Sequence, residues 1–225
     1  MSASFGKILK ITVFGESHSE AIGCCIDGLP SGFVLPMDFI GEFMKRRSPG
    51  DKAYSSRRLE ADAPKILSGA VDFVTTGAPL CAIIENKDGK SCDYEKLRDI
   101  PRPMHADFPA GVKFNGYNDI RGGGQFSGRL TAPLCFAGAI AVKLLETKGV
   151  FVGAHIAKLG GIWDKAYDPV NLCSDDFLFI AHGALPVHDK NAEAQMLLKL
   201  EAAAHEGDSI GGIIECAALG VPVGV

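Results

Sequence analysis

The chain has 225 residues, of which 47% are hydrophobic and 22% charged, and its formal net charge is −4. This size and composition predict a folded protein with a substantial apolar core and exclude a disordered chain. The slightly acidic balance argues against a general nucleic-acid-binding protein. No apolar run approaches the roughly 20 residues of a membrane span, and no secretory signal is evident, so we expect a soluble, cytoplasmic protein without a membrane partner.

The seven cysteines are odd in number and include no Cys-x-x-Cys pair. This pattern favours neither a disulfide framework nor a thiolate zinc site. We therefore expect reduced, mostly buried cysteines and no metal.

The first half of the chain predicts short strands around one amphipathic helix. Strands are expected at Lys10 to Phe14, Ile22 to Asp27, Ile66 to Val71 and Leu80 to Glu85. The helix is expected at Pro36 to Arg47, where apolar residues share one face and basic residues close the last turn.

The second half begins with a long segment, Pro101 to Gly128, whose many glycines and prolines predict a functional loop region. A helix is then expected at Arg129 to Lys148, and because it is apolar nearly all round it should be buried. A strand at Phe151 to Leu159, a helix at Asp189 to Glu206 and a strand at Gly211 to Leu219 follow. This irregular alternation predicts an α+β fold, and without a linker we expect a single domain over residues 1–225.

Arginine is distributed unevenly along the chain. All eight arginines lie between Arg46 and Arg129. Guanidinium groups grip phosphate and carboxylate bidentately, so this concentration indicates a polyanionic small-molecule ligand, whereas for any single arginine a solvated surface is the alternative.

A glycine-rich segment, Gly123 to Arg129, resembles a nucleotide phosphate-binding loop. Arg129 replaces the usual lysine, Leu130 replaces the hydroxyl residue that binds magnesium, and no apolar strand precedes the segment. A magnesium-dependent nucleotide hydrolase is therefore the weaker hypothesis. A backbone anion site at the start of the following helix and a flexible turn are both compatible with the pattern.

Two of the six histidines stand out because each lies in a loop flanked by Gly or Pro and by acidic or hydroxyl groups: His18 and His105. An imidazole in such a place can exchange protons with a ligand. The other four, His155, His182, His188 and His205, fit strand, loop or helix-end positions and need no function.

The sequence resembles the chorismate synthase family. The resemblance rests on motifs that occur in the family's order from the first residue to the last: Phe14-Gly15-Glu16-Ser17-His18, Asp27-Gly28-Leu29-Pro30-Ser31-Gly32, Arg46-Arg47-x-Pro49-Gly50, Glu60-x-Asp62, Ile66-Leu67-Ser68-Gly69, Thr75-Thr76-Gly77, Arg102-Pro103-x-His105-Ala106-Asp107, Arg121-Gly122-Gly123-Gly124 and Gly207-Asp208-Ser209-Ile210-Gly211-Gly212.

The resemblance implies a lyase of the shikimate pathway of aromatic amino acid biosynthesis. It would convert 5-enolpyruvylshikimate 3-phosphate to chorismate by 1,4-anti elimination of phosphate and would require reduced FMN. By the same resemblance, His18 protonates the departing phosphate and His105 contacts the flavin near its N1. Substrate contacts map onto Arg46, Arg47, Arg102 and Arg129, and flavin contacts onto His105, Gln125, Phe126, Ser127 and Arg129.

The family fold implied is a sandwich of helices between antiparallel sheets, in a homotetramer. Whether NADPH reduces the flavin, as in bifunctional members, stays open. Three positions depart from the family pattern: Ser19 and Met104 replace glycines beside the two histidines, and the segment starting at Gln125 replaces the common Arg-Ser-Ser-Ala-Arg-Glu-Thr run.

The chain matches only about the first three-fifths of the family pattern, and it stops within an apolar stretch. We therefore expect the N-terminal portion of a longer chorismate synthase, with weak FMN binding and little or no turnover. The alternative is a catalytically incompetent fragment that acts only as a binding or oligomerisation module.

Overall fold

The computed structural model describes residues 3–48, 62–86, 100–180 and 183–224. The chain forms two compact units, the first containing the described residues up to Ala141 and the second those from Val142 onward. Both combine helices with antiparallel strands, so the predicted α+β class is confirmed. The single domain over residues 1–225 stays a prediction.

The first unit is built from short strands and helices. Its strands are β1 (Ser4–Phe5), β2 (Lys10–Gly15), β3 (Ala21–Asp27), β4 (Lys65–Ser68), β5 (Ala70–Val71), β6 (Val74–Thr75) and β7 (Leu80–Glu85). Its helices are α1 (Met37–Arg47), α2 (Asp107–Lys113) and α3 (Thr131–Glu146), the last of which runs on into the residues of the second unit.

The main sheet of this unit has the strand order β1-β2-β3-β7-β4, with every neighbouring pair antiparallel. Alternate side chains on its central strands are buried, as a sheet covered on one face requires. They are Ile22, Cys24 and Ile26 on β3 and Leu80, Ala82 and Ile84 on β7. The strands predicted at 10–14, 22–27 and 80–85 and the helix predicted at 36–47 are confirmed.

The prediction of one strand from Ile66 to Val71 is wrong, because Gly69 divides this segment into two strands, β4 and β5. Gly69 has φ +83°, and a Cβ there would lie 2.4 Å from the Leu80 Cα on β7. A left-handed turn pressed against a neighbouring backbone accepts only glycine. β5 then pairs with β6 in a small separate ribbon.

The long loop predicted from Pro101 to Gly128 contains regular structure that periodicity did not reveal. The short helix α2 lies within it, and 3₁₀ turns occupy Arg121–Phe126 and Gly128–Leu130. Phe108 and Val112 on α2 are 67% and 65% exposed, so α2 has no buried apolar stripe to give a helical pattern.

Helix α3 confirms the helix predicted near 129–148, but not its complete burial. Phe136 and Ile140 are among its six buried residues, whereas Leu134 and Leu145 are exposed. Within the described chain, the stretch Gly128–Glu146 is long and apolar enough by length and composition to cross a membrane. Core helices of soluble proteins meet the same criterion, so this is weak evidence.

The second unit contains one three-stranded sheet and two helices. Its elements are β8 (Phe151–Leu159), β9 (Ile162–Trp163), α4 (Ser174–Ile180), α5 (Lys190–Glu206) and β10 (Gly212–Leu219). The sheet order is β10-β8-β9. The helix predicted from Asp189 is confirmed with both ends, since Asp189 accepts from the Asn191 backbone N–H and Gly207 closes the helix at φ +71°.

A polar cluster centred on the buried His155 of β8 links this strand to β10. Its Nε2 lies 2.7 Å from the Glu215 carboxylate on β10, and its Nδ1 lies 2.9 Å from the Asp164 carboxylate. Asp164 also accepts from the His188 backbone N–H at 2.7 Å. Burial raises the pKa of Asp164, but these hydrogen bonds lower it overall. A histidine bonded on both sides and 1% exposed suits a structural role.

Candidate functional site

The loop that carries His18 joins β2 to β3 and is held by its own side chains. The Ser19 hydroxyl accepts from the Glu16 backbone N–H at 3.0 Å and lies 2.9 Å from the Glu16 carbonyl and 2.8 Å from the Ala21 carbonyl. Ser17 is 2% exposed. The serine that replaces the family's glycine after the histidine therefore braces the loop, and His18 stands half-buried at its turn.

Three consecutive glycines, Gly122, Gly123 and Gly124, lie against this loop in left-handed or related conformations, with φ of +59°, +87° and +55°. The Gly124 carbonyl accepts from the Ser17 backbone N–H at 3.2 Å. A Cβ at Gly122 would lie 2.5 Å from the His18 ring and 2.6 Å from the Ser17 Oγ. The glycines are therefore needed both for backbone conformation and for close approach to the histidine.

Two of the predicted substrate arginines, Arg47 and Arg129, meet at a single carboxylate, Asp62. Each guanidinium contacts one Asp62 oxygen, and the Asp62 side chain is 0% exposed. Arg47 also reaches the Thr131 hydroxyl and the Gly128 carbonyl, both at 3.3 Å. Burial raises the pKa of Asp62, but hydrogen bonds and charges from both arginines lower it overall. Two guanidinium groups and one carboxylate sum to one positive charge, which suits an anionic ligand.

Asn86, directly after β7, connects the arginine pair to the histidine loop. Its Oδ1 accepts from the Arg129 Nε at 3.0 Å. Its Nδ2 donates to the backbone carbonyls of Glu16 at 3.1 Å and Ser19 at 2.8 Å. Its own backbone N–H donates to the Glu20 carbonyl at 3.0 Å. The Arg129 guanidinium, the Asn86 amide and the loop that carries His18 are thus joined by a continuous set of hydrogen bonds.

An acidic pair, Glu16 and Asp119, lies beside His18. Asp119 forms a bidentate ion pair with Arg121, with contacts of 2.8 to 3.1 Å. The hydrogen bonds from Arg121 lower the pKa of Asp119, and the charge of His18 adds to this effect. Burial, followed by the neighbouring Asp119 charge, raises the pKa of Glu16. The two carboxyl groups therefore differ in proton affinity, and Asp119 is the one whose charge interacts with His18.

The second histidine motif forms a separate, more open corner. Arg102 holds Asp107 through its Nε at 2.8 Å and its Nη2 at 3.0 Å. The Arg102 Nη2 would lie 3.9 Å from a Cβ at Gly123, so this motif lies next to the three consecutive glycines, which we call the glycine turn. His105 is exposed, and its backbone N–H donates to the Arg102 carbonyl at 3.4 Å.

The remaining predicted residues are arranged differently. Arg46 is exposed, with its guanidinium 5.5 Å from the Phe43 ring centre rather than beside Asp62. Gln125 and Phe126 are exposed, whereas Ser127 accepts from the Arg129 backbone N–H at 3.3 Å. The predicted motif residues Pro49, Gly50 and Glu60, together with His182, lie outside the described residues, as do three of the eight arginines: Arg57, Arg58 and Arg98.

Sequence reasoning missed the residues that connect the site. The sequence pattern places Asp62 in a motif but gives it no role, and it does not distinguish Asn86, whereas in the structure both bond to Arg129. A polar residue directly after a buried strand was the available signal for Asn86. Within the described residues, no group of three or more His, Cys, Asp and Glu side chains could hold a metal ion.

The sequence and the fold of this chain are similar to those of known proteins. The family model described as chorismate synthase matches residues 9–225. A relative named chorismate synthase from Dehalococcoides mccartyi is 44% identical over 225 residues, covering all of this chain and 61% of the relative. One from Thermococcus kodakarensis is 42% identical over 220 residues, covering 98% of this chain and 59% of the relative.

A solved structure agrees with the sequence relatives. A crystal structure of chorismate synthase superposes with a TM-score of 0.72 at 25% identity, covering 96% of this chain and 59% of that one. The chain therefore spans about three-fifths of the length of the proteins that it matches.

Proposed function

We propose, since the chain belongs to the chorismate synthase family, that it is the N-terminal part of a carbon–oxygen lyase that eliminates phosphate from 5-enolpyruvylshikimate 3-phosphate to give chorismate. The elimination is 1,4-anti and uses reduced FMN. The observation that carries the proposal is the joining of Arg47, Arg129 and the His18 loop through Asp62 and Asn86.

The arginines bind the substrate's phosphate and carboxylates. Arg47 and Arg129 stand at fixed positions because Asp62 holds both, so little reorganisation is needed when an anion arrives. Arg102 is held in the same manner by Asp107 and offers a second basic group next to the glycine turn. Arg46 is exposed and completes the set only by turning away from Phe43.

His18 donates a proton to the departing phosphate oxygen. Its ring packs closely against Gly122, which limits its rotation and the direction of proton transfer. Asp119 lies close enough for its charge to interact with that of His18, and this orients and supports the protonated ring.

The residues assigned to the flavin offer suitable groups. His105, Gln125 and Phe126 expose an imidazole, an amide and an aromatic ring, which fit the hydrogen-bonding edge and the flat face of an isoalloxazine. When bound, reduced FMN supplies a transient electron. Ser127 and Arg129 are hydrogen-bonded within the protein, so toward the flavin they only shape the segment, whereas Arg129 also binds the substrate as one of the two arginines at Asp62. NADPH is the candidate reductant of the flavin.

The test is anaerobic turnover of 5-enolpyruvylshikimate 3-phosphate with chemically reduced FMN, followed by chorismate absorbance. It compares this chain with a version extended to the full length of its relatives. We expect the extended version to turn over and His18→Ala and His105→Ala to lose a factor of roughly 10² or more. His205→Ala, an exposed histidine in α5, is the control. An inert extended version contradicts the proposal.

The alternative is a binding or oligomerisation module without catalysis, favoured by the 61% coverage of the relative. It predicts that this chain binds the substrate in calorimetry but shows no turnover with reduced FMN. We further propose that the protein is cytoplasmic and forms a homotetramer. Size-exclusion chromatography with light scattering tests the assembly.

A further inference from the structure

We propose that Asn86 is the positioning residue that couples the arginine pair to the loop carrying His18, and this inference rests on the proposed function. Both polar atoms of the Asn86 side chain form hydrogen bonds: the oxygen accepts from Arg129, and the nitrogen donates to two carbonyls of the loop. A single side chain therefore bonds to both groups at once.

The position of Asn86 is fixed by the sheet. Ala21, the first residue after the loop, pairs with Glu85, the residue before Asn86. The loop and Asn86 therefore emerge side by side from β3 and β7. Strand pairing therefore fixes Asn86 next to the loop. The Asn86 amide in turn accepts a hydrogen bond from Arg129, which is 5% exposed.

The chemistry of the amide explains why asparagine is required. Aspartate could accept from Arg129 but could not donate to Glu16 and Ser19, and alanine could do neither. Losing the donors removes the amide partner of the Ser19 carbonyl and leaves the Glu16 carbonyl with its contacts to Ser19 alone, while Asp62 still anchors Arg129. Asn86→Asp therefore removes only the hydrogen bonds to the loop, whereas Asn86→Ala also removes the hydrogen bond to Arg129.

The experiment uses Asn86→Asp and Asn86→Ala in this chain, with Asn115→Asp as a control that adds the same charge at an exposed turn. Amide hydrogen exchange of residues 15–20 reports on the loop. Carbethoxylation of His18, measured against the exposed His205 in the same molecule, reports on the ring. Calorimetry with inorganic phosphate reports on the arginines, and none of these readouts requires turnover.

We expect loop exchange and His18 reactivity to rise on the order of tenfold in both Asn86 variants, with the control unchanged. Phosphate affinity should fall further in Asn86→Asp, because a second carboxylate then neutralises Arg129. If the loop of Asn86→Asp behaves as in wild type, Asn86 merely anchors Arg129 and the coupling is refuted. An inert full-length enzyme would contradict the proposed function without altering these results.

A different observation, the pairing of two thiols across the sheet, carries a second inference. Cys25 on β3 lies directly opposite Cys81 on β7, and both are free and half-exposed. Residues directly opposite in antiparallel strands have Cα atoms about 4.5 to 5.5 Å apart, which is within the range of a disulfide. Cys24 does not compete because it lies on the opposite, buried face of the sheet. Burial raises the pKa of the Cys24 thiol to about 12 and also raises the pKa of the Cys81 thiol.

We infer that Cys25 and Cys81 form a reversible disulfide site for small-molecule disulfides such as oxidised glutathione. One thiolate attacks the oxidised glutathione, releasing one reduced glutathione and forming a mixed disulfide. The second thiolate then displaces the other glutathione. Both cysteine thiols lose their protons, the two sulfurs are oxidised to one bond, and the oxidant is reduced to two thiols.

The test is incubation of the folded chain with oxidised glutathione, followed by thiol counting and peptide mass spectrometry before and after reduction. We expect a cross-link between residues 25 and 81 that Cys24→Ala retains and Cys25→Ser and Cys81→Ser abolish. Glutathione adducts on the two cysteines without an internal cross-link, or a cross-link that survives in Cys25→Ser, overturn the inference.

Discussion

Replacing Asp62 by Asn tests whether one buried carboxylate holds the two arginines. The change preserves size and an acceptor oxygen, and asparagine tolerates the left-handed conformation at this position, where φ is +46°. It removes the charge and replaces one of the two acceptor oxygens by an NH2 group that faces a guanidinium donor. Arg129, with a side chain 4% exposed, would be left without this counter-ion.

The expected cost follows from that burial. Removing one partner of a buried ion pair costs about 3 to 5 kcal/mol, and because only one of the two acceptor oxygens survives we expect a cost within this range. The measurement is denaturant-dependent hydrogen exchange of β3 and β7 amides, which follows the opening of the first unit. Glu42→Gln is the control, because this exposed carboxylate on α1 lies in the same unit and its substitution should cost about 0.5 kcal/mol or less.

The ion pairs of Asp62 with Arg47 and Arg129 also make the stability of the fold depend on pH. The two arginines lower the pKa of Asp62 in the folded chain, so the stabilisation is present above the unfolded-chain pKa of about 3.9. It is lost as the pH falls through the folded-state pKa, and the Asp62→Asn variant lacks this dependence. The difference between the two proteins should therefore shrink in acid. A cost no greater than that of the control at pH 7 would refute the reasoning.

Three further results are expected. Arg47→Lys should weaken inorganic phosphate binding in calorimetry by roughly tenfold, because an ammonium cannot reproduce the guanidinium's three contacts; an unchanged affinity counts against the pair as the anion site. Gly122→Ala should lower the thermal midpoint by several degrees, since its Cβ would overlap His18, whereas Gly128→Ala, with open space around it, should not. Asp164→Asn should destabilise the second unit by about 2 kcal/mol in circular dichroism melts, an effect that fades as the pH falls below about 4.

Much of the fold could be predicted because the decisive signals are local. Alternating buried residues marked β3 and β7, and a capping aspartate with a terminal glycine marked α5. The prediction was wrong where tertiary contact decides, as at Gly69, whose turn is imposed by the neighbouring strand. It also missed α2, whose exposed apolar residues carry no helical stripe.

The site shows the same division. Its chemistry was visible as residue types, since Arg47, Arg129 and His18 were all singled out. Its organisation was not, because Asp62 and Arg129 are 67 positions apart in the sequence and meet only through the fold. Arg46 illustrates the converse: it neighbours Arg47 along the helix, but helical rotation directs it to solvent.

The position of the single tryptophan determines what optical experiments on this protein can observe. Trp163 lies on β9, with its indole 4.6 Å from the Lys158 ammonium. Its emission therefore responds to the unit that contains His155, while the arginine pair and the His18 loop belong to the other unit. An emission trace can return to its native value before the loop that carries His18 has formed, so refolding judged by fluorescence alone would overestimate the recovery of the first unit.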